Sequence, residues 1–150
     1  MQFKTATVAI LTALLAVAEC APTAGTSANP QGEVLVKRKD LCGASSFENR
    51  GSTASPTVND CQALANKLSD NDSWVLTSFQ PHREIASSGG CAFGIEWGQL
   101  YQGSVVVGSR DVKDLIRSSI EKFKRGDNKV GARGTMPCGP EGVLVSWGLY

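Results

Sequence analysis

The chain has 150 residues, 15 Lys and Arg against 14 Asp and Glu, and 41% hydrophobic residues, which is the size of one folded domain. A net charge of +1 excludes a strongly basic nucleic-acid-binding protein. No apolar run reaches the roughly 20 residues that a membrane-spanning helix requires.

The chain opens with Lys4, an uncharged stretch over residues 5–18, and then the small residues Ala16, Ala18, Cys20 and Ala21. A basic start, a short apolar run and a small-residue exit describe a signal peptide over residues 1–20. Cleavage after Ala18 or after Cys20 fits the small-residue rule. Cysteine arithmetic favours the second, because it leaves four of the five cysteines in an oxidising compartment. Residues 21–38 are polar and contain Pro, with nothing to bury, and end in Lys37-Arg38. Such a dibasic pair is where secretory-pathway proteases cut. The expected organisation is therefore a signal peptide (1–20), a propeptide (21–38) and a secreted, extracellular mature domain (39–150). Lys4, Lys37, Arg38, Glu19 and Glu33 precede residue 39, so the mature part carries 12 cations and 12 carboxylates.

In that part, Ser55-Pro56 predicts a helix start, with Ser55 as cap and Pro56 at the first position. Val58, Cys61, Leu64, Ala65 and Leu68 then form one apolar stripe. Asn71-Asp72-Ser73 is an N-glycosylation sequon at the end of this helix, with Asn71 as acceptor. Residues 74–79 and 91–97 read as strands, the second alternating Cys91, Phe93, Ile95 and Trp97 with smaller or polar residues. Between them, His82 in a polar stretch reads as an exposed loop histidine. Residues 98–103 form a loop and 104–107 a short strand. A second helix runs over 109–125, with Ser109 as cap, Asp111 in its first turn, and Val112, Leu115, Ile116, Ile120 and Phe123 on one face. Residues 129–135 and 143–150 read as strands joined by a turn over 137–142. Tight connections imply antiparallel pairing. The expected fold is α+β: an antiparallel sheet with two helices packed on one face, stapled by two disulfides.

Cys42, Cys61, Cys91 and Cys138 lack metal-ligand spacing and are expected to pair as two disulfides, with three connectivities open. Any pairing of Cys61 with Cys91 or Cys138 would tie the first helix to the sheet. Lys122, Lys124, Arg125, Lys129 and Arg133 form a local basic cluster, a candidate contact for acidic headgroups or simply the cationic end of a helix. No nucleophile, base and orienting acid stand out around His82, and nothing singles out a catalytic pair among Glu48, Glu84, Glu96 and Glu141. The expectation is a non-enzymatic binding protein without cofactor or metal. Tyr101 and Trp97 are its aromatic candidates for contact.

Six phrases occur in order: CGASSFEN (42–49), SPTVNDC (55–61), GCAFG (90–94), DVKDLIRSSI (111–120), GARGTMPC (131–138) and VSWGLY (145–150). Together they resemble the fungal extracellular-protein-2-like effector domain, also called the necrosis-inducing factor family. The resemblance covers residues 41–150, and the four cysteines match the family's cysteine framework. It implies a small secreted fungal virulence protein acting on a host or competitor target, protein or membrane component. It also implies a fold similar to killer-toxin α/β sandwiches. No catalytic residues transfer with it. Residues 81–88 and 98–103 match none of the phrases and are expected to be lineage-specific surface. A monomer with no nucleic-acid partner is expected. A killer-toxin-like antimicrobial is the alternative, and a small secreted hydrolase the third reading.

Overall fold

The computed structural model describes residues 40–77, 81–97 and 103–150. The expected signal peptide, the expected propeptide with Lys37 and Arg38, the last two residues of the expected 74–79 strand, most of the expected 98–103 loop and Tyr101 lie outside the described residues.

In chain order the elements are β1 (Glu48–Asn49), α1 (Val58–Lys67), β2 (Ser73–Thr77), β3 (Arg83–Ser88), β4 (Cys91–Glu96), β5 (Ser104–Gly108), α2 (Ser109–Phe123), β6 (Ala132–Cys138) and β7 (Val143–Leu149). The strands pair antiparallel throughout, in a five-stranded sheet ordered β1-β6-β7-β4-β3 and a two-stranded sheet of β2 and β5. The chain is thus α+β, as its sequence implies, but the strands divide between two sheets. β2 pairs along its whole length with β5 and with none of the other strands.

α1 presents Val58, Cys61, Leu64 and Ala65 to the core. Its cap is Thr57, where Ser55 was expected. The Thr57 hydroxyl accepts the Asp60 N–H at 3.2 Å and donates to the Asp60 carboxylate at 2.8 Å, a local exchange that satisfies a free helix-start donor. Ser55 instead accepts the Ser52 N–H in the preceding turn. α1 packs against α2, β3 and β4.

The start of α2 also differs. Gly108 is its cap residue, and Ser109 is the first helical residue, fully buried. Asp111 performs the capping. Its carboxylate accepts the Gly108 N–H at 3.1 Å and, from the incoming chain, the Leu41 and Cys42 N–H groups at 2.9 and 3.3 Å. One side chain therefore closes the helix and anchors the segment before β1. Burial raises the Asp111 carboxyl, opposed by the N–H donors of Leu41, Gly108 and Cys42.

β3 is an element that sequence reading leaves as a loop. An extra residue between Glu84 and Ala86 shifts its register against β4, so its apolar residues do not alternate. The β3–β4 turn passes so close to α1 that a Cβ on Gly89 would lie 2.3 Å from the Asp60 carboxylate, and Gly89 has φ +56°. β6 begins three residues later than expected and runs through Pro137 to Cys138, because its ladder with β7 continues through Pro137–Leu144 and Cys138–Val143; the Pro137 carbonyl also accepts the Gly43 N–H at 2.7 Å. The turn shrinks to Gly139–Gly142, with both glycines at positive φ.

The core lies between the helices and one face of the five-stranded sheet. Cys91, Phe93, Ile95, Ala132, Met136, Cys138, Val145, Trp147 and Leu149 are all buried there. Phe93 stacks on Trp147 at 5.9 Å, and Phe47 meets Trp147 edge-on at 5.3 Å. The disulfides are Cys42–Cys138 and Cys61–Cys91. The first ties the segment before β1 to the end of β6. The second ties α1 to β4.

Candidate functional site

The other face of the five-stranded sheet is turned to solvent. Alternation along β7 sends Leu144, Ser146 and Gly148 to it, and along β6 it sends Arg133, Thr135 and Pro137. β4 contributes Gly94 and Glu96. The pairings Thr135–Ser146 and Ser146–Glu96 place two hydroxyls and a carboxylate in one row across three strands. Arg133–Gly148 and Gly148–Gly94 make the next row, a guanidinium beside two positions without side chains.

Over these rows lies a trough of about 570 Å³ whose lining includes Glu48, His82, Glu96, Arg133, Ser146 and Gly148. His82 forms part of its wall. The imidazole Nε2 is 2.6 Å from the Tyr150 hydroxyl, and the ring lies across Gly94. A Cβ on Gly94 would fall 2.2 Å from His82 Cε1 and 2.9 Å from the Tyr150 oxygen, so the pair can form only because residue 94 is glycine. A Cβ on Gly148 would meet the Tyr150 ring at an ordinary 3.6 Å, which leaves the Gly148 backbone as an open shelf. Burial raises the Tyr150 phenol, with a further upward push from the Glu84 carboxylate.

The charges at the β1 end are paired. Glu48 accepts from Arg133 Nε at 2.6 Å and from Arg50 at 2.7 Å. These contacts, the Arg133 bond first, hold the Glu48 carboxyl below its usual range. A second hollow of about 370 Å³ sits beside the Asp111 anchor and contains Asp40 and Asp114.

The structure therefore brings Glu48, His82, Glu96 and Arg133, which are scattered in the sequence, to one surface. His82 is exposed in the loop immediately before β3, as expected, and there it is a wall residue partnered by Tyr150. Glu84 is opposite Gly94 in the ladder, whereas Glu141 lies in the β6–β7 turn. Trp97, expected as an exposed contact aromatic, is 6% exposed and belongs to the core, since it continues the inward alternation of β4. Asn71 is exposed in the turn between α1 and β2.

Four of the five basic residues have partners within the fold. Lys122 stands over the Phe47 ring at 5.5 Å, and Lys129 donates to the Ser55 carbonyl at 2.9 Å. Arg125 pairs with Asp127 at 3.1 Å and Arg133 with Glu48, while Lys124 is exposed at the end of α2.

Sequence reading did not identify Gly94, Gly148, Ser146, Thr135 or Tyr150. Their signal was the polar half of the alternation in β4, β6 and β7. That half gains meaning only when the register sets the residues side by side.

Two relatives from Penicillium expansum are similar to this chain. "Probable chitinase LysM18" is 30% identical over 112 residues, 73% of this chain and 8% of that protein. "Secreted chitinase LysM12" is 26% identical over 109 residues, 71% of this chain and 7% of that protein. The chain thus spans less than a tenth of the length of these curated relatives. Residues 41–138 match the model of the family described as "Pathogen effector; putative necrosis-inducing factor", and the chain belongs to this Hce2 effector family.

Proposed function

We propose that this protein is a secreted fungal effector whose mature part, residues 39–150, acts at a host or competitor surface by binding, through the trough on the solvent face of the five-stranded sheet. Export would proceed by removal of residues 1–20 and cleavage after Lys37-Arg38. Family membership supports the effector role, and the name of a relative, "Secreted chitinase", supports an extracellular site of action. The short match within long proteins named chitinases supports a self-contained module that works beside other domains in them.

The observation that carries binding over catalysis is the way two of the trough's reactive groups, His82 and Glu48, are engaged. His82 bonds a phenol hydroxyl, and Glu48 is clamped by two arginines that favour its ionised form. A general acid requires the opposite tuning. A preformed, pinned surface suits recognition, because little side-chain freedom is lost when a ligand arrives. The partner is a host or microbial surface component, met by a monomer, with no cofactor involved.

The test is ion leakage from leaf tissue infiltrated with the protein secreted by a fungal expression host. Leakage by the oxidised protein, reduced in a Gly148→Val variant and lost on reduction and alkylation, is the expected result. Leakage unchanged by Gly148→Val would remove the trough from the reading. Growth inhibition of competing fungi without leakage would move the protein to the antimicrobial role.

A further inference from the structure

We infer that the ligand of this trough is a neutral, hydroxyl-rich glycan chain lying across β6, β7 and β4. The inference rests on the trough being the binding site proposed above, and three features of the trough carry it.

The first is charge. Glu48, Glu96 and Arg133 all line the trough, and Glu48 is shared between Arg133 and Arg50. Neither a polyanion nor a polycation finds an unopposed field of the other sign here.

The second is the row of polar groups. Thr135, Ser146 and Glu96 are cross-strand neighbours, so two hydroxyls and a carboxylate recur at the strand spacing of about 4.8 Å. Hydroxyls both donate and accept, and a carboxylate accepts at two oxygens. A run of adjacent sugar hydroxyls, each both donor and acceptor, complements such a row. Phe47 and Trp147 also line the trough, but they pack edge-on against each other and Trp147 is 3% exposed, so the two rings are largely taken up by one another.

The third is the shelf. The adjacent backbones of Gly94 and Gly148 are bare, but His82 covers the first and leaves the second open. The Tyr150 ring stands 3.6 Å from where a Gly148 Cβ would be, beside that opening. A pyranose ring over Gly148 would set its apolar edge against Tyr150 and turn its hydroxyls toward Ser146 and Thr135. Small backbone at the floor, an aromatic flank and a few convergent polar groups are what a sugar ring needs from a site.

The experiment titrates the secreted, oxidised protein with chitohexaose and with laminarihexaose, following backbone amide shifts by NMR. The expected result is saturable shifts at Gly148, Ser146 and Gly94 with at least one of the two glycans. Gly148→Val, which fills the shelf where a Cβ meets no clash, should weaken binding at least about tenfold, the size of one strong lost contact. Ser146→Ala removes one hydroxyl from the row and should weaken it a few-fold; it serves equally should the valine variant fail to fold. Leu144→Ser, on the same face but outside the lining, should bind as the parent does.

Absence of saturable shifts with both glycans at millimolar concentration would overturn the inference. So would shifts that map to another surface. If Gly148→Val abolishes leaf leakage while neither glycan binds, the site stands and its ligand class falls. If Gly148→Val alters neither leakage nor glycan binding, both readings fall together.

Discussion

The two faces of the five-stranded sheet are built from the same strands, yet they differ in kind. The inner face carries Phe93, Ile95, Met136, Val145 and Leu149, each at most 2% exposed. The outer face carries Arg133, Thr135, Ser146, Gly148 and Glu96 around an open trough. Alternate residues of one strand thus serve separate ends. Inward ones supply burial, and outward ones supply a patterned polar surface. Substitutions on the two faces should therefore separate stability from recognition.

The sharpest test of that division is Phe93→Ala. It removes a fully buried ring stacked on Trp147 and should cost about 3–5 kcal/mol, read as a lower urea midpoint. A loss under about 1 kcal/mol would mean that the inner face is not the stabilising one. The Cys61→Ser, Cys91→Ser double variant comes next. It opens a bridge of sequence separation 30 that joins α1 to the sheet, and should cost roughly 2–4 kcal/mol. The Tm and a chymotrypsin digestion rate will show whether α1 has loosened.

Gly94→Ala probes where the faces meet, because residue 94 is buried although it faces outward. The new methyl displaces His82 and the Tyr150 hydroxyl and should cost about 1–3 kcal/mol, as overpacking does. The His82 ring resonances will report the broken contact. A variant of parental stability with an intact His82–Tyr150 bond would show that the wall is not held as described.

The smallest effect contrasts two carboxylates. Burial raises Asp111, so the folded chain holds its proton to higher pH than the unfolded chain does. Its ionisation favours the folded state less. Its stabilising share is present below the unfolded-state pKa and is lost as pH rises through the folded value. Glu48 on the outer face is lowered by Arg133 and acts in reverse, its share being lost as pH falls through the folded value. Relative to the parent, the urea midpoint of Asp111→Asn should therefore rise more with pH between about pH 3 and 6, the span of ordinary carboxyl titration and its usual shifts, because the opposing share of Asp111 is gone. An unchanged profile would mean that the backbone donors to Asp111 cancel its burial, and a smaller rise than the parent's that they outweigh it.

Much of the fold was legible from the sequence. The alternation from Cys91 to Trp97 and from Val143 to Leu149 marked β4, β7 and the faces they bury, and the apolar stripes marked both helices. The helix caps were read one or two residues off. Ser55 and Thr57 are both plausible caps by type, and only contact with Asp60 selects Thr57. β3 was missed because the irregularity at Glu84–Ala86 breaks the period of two. The site was nearly illegible, since His82 and Tyr150 are 68 residues apart and Gly94 and Gly148 become neighbours only in the ladder.

By itself, then, the sequence determined the α+β class, the helices, most strands, the inward faces and the family phrases. These depend on local periodicity and residue type, which act over a few neighbours. Only the tertiary structure decided the disulfide pairing, the division into two sheets, the partners of the basic residues and the assembly of the trough. Each of these depends on which strand lies beside which and in what register, and a shift of one residue would turn the polar row into the core.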